Sequence, residues 1–156
     1  KYYNPYRNNA RTLIVNSANI NKIIHISIHS FTPIFPKLQG RCSNPLRGAV
    51  RKADIGLLYY PKSKFEHSVT HKWKDELKKL NNNIKVMFNN PYQGWQDGFT
   101  TSLRNELGTE NYCGIELEVN QNLLFDKNQQ TEIISLLTKS FQNIDFTKVT
   151  KWQSDE

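Results

Sequence analysis

The chain has 156 residues, 37% of them hydrophobic and 12% aromatic, which is enough for one sizeable core and too apolar for a disordered segment. No apolar run approaches the ~20 residues of a membrane span and no signal-peptide pattern stands out, so an intracellular, cytoplasmic protein is expected. The net charge of +7 is uneven: residues 1–80 carry 15 Lys or Arg against 4 Asp or Glu, and residues 81–156 carry 6 against 10. Such a basic half admits nucleic-acid binding as a function class. Cys42 and Cys113 form no Cys-x-x-Cys pair, in keeping with a reduced chain. Residues 1–156 read as a single domain, and an opening on Lys1 predicts a further N-terminal portion.

Lys1 to Tyr6 is aromatic and loop-like, with Asn4-Pro5 as a turn or helix-start signal. From Arg7 to about Ile20, Ala10, Leu13, Ile14 and Ser17 recur at helical spacing. Residues 22–30 read as a short strand. Successive side chains alternate faces, so His25, Ser27 and His29 share one side while Ile24, Ile26 and Ile28 face a core. Thr32-Pro33 stops the strand, because proline has no N–H for a ladder. Residues 31–48, with Pro33, Pro36, Pro45, Gly40 and Gly48, form a long loop of the kind that shapes binding sites.

Ala53 to Tyr60 is a second buried strand. Phe65, Val69, Trp73, Leu77 and Leu80 then make the cleanest helical stripe, with Lys72, Lys74, Lys78 and Lys79 on a solvated face. After Asn81-Asn82-Asn83, Ile84 to Phe88 is a third strand, and Asn89 to Gly98 is a turn-rich loop. Phe99 to Leu107 is a short helix, and Tyr112 to Val119 a fourth strand with Glu116 and Glu118 on one face. Asp126 caps a last helix whose core side is Ile133, Ile134, Leu136, Leu137 and Phe141. The tail from Phe146 is polar, with Trp152 as its one anchor. Strands alternating with helices predict an α/β three-layer sandwich with a mixed, mostly parallel sheet, and four strands is few for that architecture, so an incomplete one is expected.

Polar clusters end the strands: His29-Ser30, Asn89-Asn90, and Glu118 before Asn120-Gln121. A carboxylate in an otherwise buried strand is costly unless paired or bound to something. Glu116 and Glu118 therefore have two readings: a general base beside a cation, or salt bridges to the many Lys and Arg of the first half. His67 and His71 have i, i+4 spacing but lie off the apolar stripe, which favours plain surface over chelation. Arg41, Arg47 and Arg51 crowd the loop before the second strand, as a carboxylate clamp or as a solvated basic loop. Ser30 and Cys113 have no base partner, so nucleophilic catalysis has little support.

Four stretches occur in order: His29-Ser30-Phe31-Thr32-Pro33, Arg51-x-x-Asp54-Ile55-Gly56-x-Leu58, Asn90-Pro91-Tyr92-x-Gly94 with Asp97-Gly98, and Gly114-Ile115-Glu116-Leu117-Glu118-Val119-Asn120-Gln121. Together, with Tyr2-Tyr3-x-Pro5-Tyr6-Arg7 before them, they resemble the N-formylglutamate amidohydrolase family, zinc hydrolases related in fold to carboxypeptidase-type exopeptidases. The resemblance covers most of residues 2–124. It implies a fold of zinc-exopeptidase type, His29 as a zinc ligand, and Glu118 as the general base on zinc-bound water. Arg51, Asn90 and Tyr92 would be substrate-side groups, Arg51 the candidate for the substrate carboxylate. The substrate implied is a small N-formyl or N-acyl amino acid, cleaved at a linear amide to formate or another acid plus the amino acid.

Two departures qualify this. The family's other two zinc ligands, a histidine and a glutamate, lie in its N-terminal half, so the chain is expected to be the C-terminal part of the enzyme and inactive alone. Asn120 stands where other branches carry arginine, which bears on the substrate more than on the chemistry. The competing classes are a basic, non-enzymatic nucleic-acid-binding module and a degenerate family member that binds a partner. Of these the resemblance makes nucleic acid the weaker.

Overall fold

The computed structural model describes residues 3–34, 48–96 and 98–149. Tyr2, Arg41, Cys42, Arg47, Asp97 and Trp152, and the loop residues Pro36, Gly40 and Pro45, lie outside them. The first helix, α1 (Tyr3–Ala18), starts four residues before the sequence pattern suggests. Pro5 fits in its first turn, where backbone N–H groups have no intrahelical acceptor in any case. Only a narrow side of α1 meets the rest of the fold, and Leu13, expected on the core face, is 70% exposed.

The strands are β1 (Ile23–Phe31), β2 (Ile55–Leu58), β3 (Val86–Phe88) and β4 (Tyr112–Asn120). They form one sheet in the order β1-β4-β2-β3. β1 pairs parallel with β4, β2 parallel with β3, and β2 antiparallel with β4. The expected mixed, mostly parallel α/β sheet is thus what the described residues build. β4 is central and buried almost throughout, whereas β1 is an edge strand.

Helices α2 (Lys64–Leu80) and α4 (Lys127–Gln142) cover one face. Val69, Trp73 and Leu77 of α2 meet Cys113, Ile115, Leu117 and Val119 of β4 in the main core. Trp73 donates its indole N–H to Ser140 of α4 at 2.9 Å, which satisfies a polar group that burial would otherwise strand. Leu80, the last residue of the predicted stripe, is 45% exposed, because the helix runs past the edge of the core there. Ile28 departs from expectation as well. Ile24 and Ile26 pack against the core, but Ile28 is 72% exposed, since a groove of about 730 Å³ separates the end of β1 from α4.

On the other face lie α1 and α3 (Phe99–Leu107). α3 is fixed to the sheet by a buried ion pair. Arg104 donates from Nε and Nη2 to the two carboxylate oxygens of Glu66, at 2.7 and 3.2 Å, and from Nη2 to the carbonyl of Gly114 at 3.2 Å. Glu66 also accepts the backbone N–H groups of Tyr60 (2.6 Å) and Gly114 (3.1 Å). A bidentate pair with its remaining lone pairs occupied is the form in which buried charge is tolerated. α1 is held on α3 by Arg11, whose guanidinium grips both oxygens of Glu106.

Candidate active site

The parallel β1/β4 register sets the site. His29 lies opposite Glu118, Ser27 opposite Glu116, and His25 opposite Gly114. Because facing residues of paired strands point the same way, His25, Ser27, His29, Glu116 and Glu118 all project from the sheet face under α1 and α3. They form the floor of a pocket of about 780 Å³, walled by Arg7 of α1, Phe99 of α3 and Tyr92 of the loop between β3 and α3.

Glu118 is 5% exposed, and its Oε2 has no hydrogen-bond partner. Burial pushes its carboxyl above the ordinary glutamate range and neighbouring Glu116 adds to this, while His29 and Arg51 pull the other way. Glu116 is anchored instead: Thr100 Oγ donates to it at 2.6 Å. Gly98, at φ +103°, lies so close that a Cβ there would fall 2.8 Å from Glu116 Oε1, so glycine serves both the backbone angle and the approach. Neither glutamate forms an ion pair with Lys or Arg among the described residues, so the salt-bridge reading has no support there.

His29, at the exposed end of that floor, shares a 2.8 Å hydrogen bond from its Nε2 with Ser27 Oγ. His25, deeper on the strand, bonds through Nδ1 to Tyr112 Oη at 2.8 Å and meets the edge of Phe99. Burial lowers its pKa, as suits a structural imidazole.

The Asn90–Tyr92 loop reaches the site because β2 carries Gly56 opposite Glu118. A Cβ on Gly56 would sit 2.2 Å from the Asn90 carbonyl oxygen. Asn89, at φ +49°, ties the loop down by accepting the N–H groups of Tyr59 and Gly94 on its side-chain oxygen, at 3.0 and 3.2 Å. Asn90 is thereby placed by its backbone. Arg51 is buried at 7% exposure between the rings of Phe31 and Tyr92, and its Nη1 donates to Tyr92 Oη at 3.3 Å. The solvated-loop reading does not apply to it.

Asn120 is structural in this fold. Its side-chain N–H donates to the Ala53 carbonyl at 2.9 Å, and its Oδ1 caps the 3₁₀ turn Gln121–Leu124. His67 and His71 stack at 3.8 Å between ring centroids, beside Tyr59 and Phe88, as half-buried packing. The sequence reading missed Thr100, Phe99 and Arg7 as site residues, and nothing in their local pattern marks them. The Glu66–Arg104 pair carried one signal, the Ser63-x-x-Glu66 capping spacing that puts a glutamate in the first turn of a buried helix.

Among the described residues no group of three or more His, Cys, Asp or Glu side chains is placed to hold a metal ion. His29 offers one nitrogen beside an unpartnered buried carboxylate oxygen, a donor set that fits part of a metal site. No helix of the described residues is long and apolar enough to cross a membrane.

No curated protein matches this chain. Solved structures resemble it in fold, among them the following two. A gene product from Agrobacterium tumefaciens has a TM-score of 0.60 at 22% identity, over 90% of this chain and 51% of that one. An N-formylglutamate amidohydrolase from Ralstonia eutropha has a TM-score of 0.61 at 16% identity, over 94% of this chain and 52% of its own. The chain therefore spans about half the length of either. Residues 1–125, which hold every element of the pocket, match the N-formylglutamate amidohydrolase family, and the chain belongs to it.

Proposed function

We propose that the protein of which this chain is part hydrolyses the linear amide of an N-formyl or N-acyl amino acid, with Glu118 as general base. The observation that carries this reading is the Glu118 carboxylate. It is buried, unpartnered at Oε2, held in its basic setting by desolvation, and aligned with His29 on the floor of a pocket. Most buried carboxylates are hydrogen-bonded, and one that borders a pocket with an oxygen left unpartnered is suited to proton transfer.

In this scheme Glu118 accepts the proton of a water as its oxygen attacks the amide carbonyl carbon. The same group then returns the proton to the leaving nitrogen as the C–N bond breaks, giving the carboxylic acid and the free amine. The family implies zinc, and His29 is the residue here that would hold it, with further donors from outside the described residues. Zinc bound there would supply Lewis acidity toward the carbonyl oxygen and acidify the water. Tyr92 and the Asn90 loop line the substrate side, and Arg51 fixes Tyr92 while its charge offsets part of the Glu118 desolvation.

The test is release of formate and amine from N-formyl amino acids by the full-length protein. The reading expects stoichiometric amounts of both. Bound zinc with no hydrolysis of any N-acyl amino acid would favour a family member that has become a binding protein.

A further inference from the structure

An N-acyl amino acid carries at least one carboxylate, yet the pocket floor carries two glutamates. An anion entering such a pocket needs a cation on the opposite wall, or like charges oppose its binding. Arg51 is poorly placed for this. It is 7% exposed, its Nη1 is bonded to Tyr92, and it does not line the pocket.

Arg7 does line the pocket, and it is half-exposed. Its guanidinium lies 4.9 Å from the Phe99 ring centroid and 5.8 Å from that of Tyr3, whose hydroxyl accepts from Nη1. Among the described residues no carboxylate pairs with it. Aromatic faces fix a guanidinium without neutralising it, which leaves its remaining N–H donors available for a planar, bidentate carboxylate. The helix that carries Arg7 is in turn locked to α3 by Arg11 and Glu106, one turn further along. The wall is thus built, and its charge is unspent.

We propose that Arg7 binds a carboxylate of the substrate and so makes the pocket selective for anionic N-acyl amino acids. This rests on the amidohydrolase reading given above. The geometry gives the two faces of the pocket different tasks: Glu118 and His29 on the sheet face the reacting amide, and Arg7 on α1 faces the anionic end.

The experiment compares wild type, Arg7→Ala and Arg7→Lys in the full-length protein, with an N-formyl amino acid and with its neutral carboxamide. Loss of a bidentate charge-assisted pair is expected to lower kcat/KM by about 10- to 100-fold, mostly through KM, for the anionic substrate. The carboxamide should change less than about 3-fold, and lysine should restore only part of the loss. Equal loss on both substrates would mean that Arg7 merely supports the wall, and no loss on either would mean that the anion binds elsewhere; each overturns the proposal.

A second arm separates this proposal from the reading beneath it. Calorimetric binding of the same N-formyl amino acid is measured with wild type and Arg7→Ala. If wild type hydrolyses nothing but binds the anion at least about 10-fold more tightly than Arg7→Ala, the hydrolase reading fails and the Arg7 assignment stands. Equal binding, or none by wild type, overturns the assignment.

Discussion

Gly56→Ala is a one-methyl test of how the loop after β3 is delivered to Glu118. The added Cβ would sit 2.2 Å from the carbonyl oxygen of Asn90, and real Cβ contacts stay beyond 3.0 Å, so one of the two backbones must move by at least about 0.8 Å. Neither gives way cheaply. Gly56 is laddered between β3 and β4, and Asn89 is bonded to Leu57, Tyr59 and Gly94. Forcing atoms into a packed site costs about 1–3 kcal/mol, which in a domain of this size lowers Tm by roughly 2–12 °C. The same displacement moves the Asn90–Tyr92 loop away from Glu118, and a shift approaching ~1 Å at a reacting centre costs up to about 100-fold in rate. Thermal unfolding and steady-state turnover on one preparation read both effects. A variant with wild-type Tm and wild-type kcat/KM would refute the close approach, and with it the role of Gly56 in bringing the loop to the site.

Arg104→Met leaves the Glu66 carboxylate buried with backbone N–H partners only, which should destabilise by about 3–5 kcal/mol. Pairing it with Glu66→Leu should recover much of that loss, and denaturant titrations of the two singles and the double check the coupling. Glu118→Gln should stabilise the metal-free protein at pH 7 by about 1 kcal/mol, or a few degrees in Tm, because it removes an unpartnered buried charge. The folded-state pKa of Glu118 lies above the ordinary 4.5, so the folded protein holds that proton more tightly than the unfolded chain does. The penalty is absent below pH 4.5 and grows as pH rises through the folded value. The Tm gain of the glutamine variant should therefore vanish in acid, and a gain that is the same at pH 4 and pH 7 would contradict the assignment.

Much of the site was legible because a strand has period 2. His25, Ser27 and His29 had to share one face, and so did Glu116 and Glu118, whatever the fold. What the residues alone could not show is that these two faces are one face. The β1/β4 register joins segments more than 80 residues apart and is decided by packing on both sides of the sheet. The corrections have the same origin. Ile28 and Leu13 obey the periodicity of their elements but stand where no neighbouring element covers them, and periodicity says nothing about coverage. Arg7, Phe99 and Thr100 become site residues only through the placement of α1 and α3, which depends on Arg11–Glu106 and on the buried pair of Arg104 in α3 with Glu66 in α2, a helix read only for its apolar stripe. Asn120, prominent in the motif, serves the backbone at Ala53, just before β2, and a 3₁₀ turn.

The central claim is a division of labour between two facing residues on β1 and β4. The most direct measurement is zinc content together with N-formyl amino acid turnover in full-length wild type, His29→Ala and Glu118→Gln. The account predicts that both variants lose hydrolysis by at least about 100-fold, while only His29→Ala loses zinc. A Glu118→Gln protein that retains near-normal turnover would contradict it.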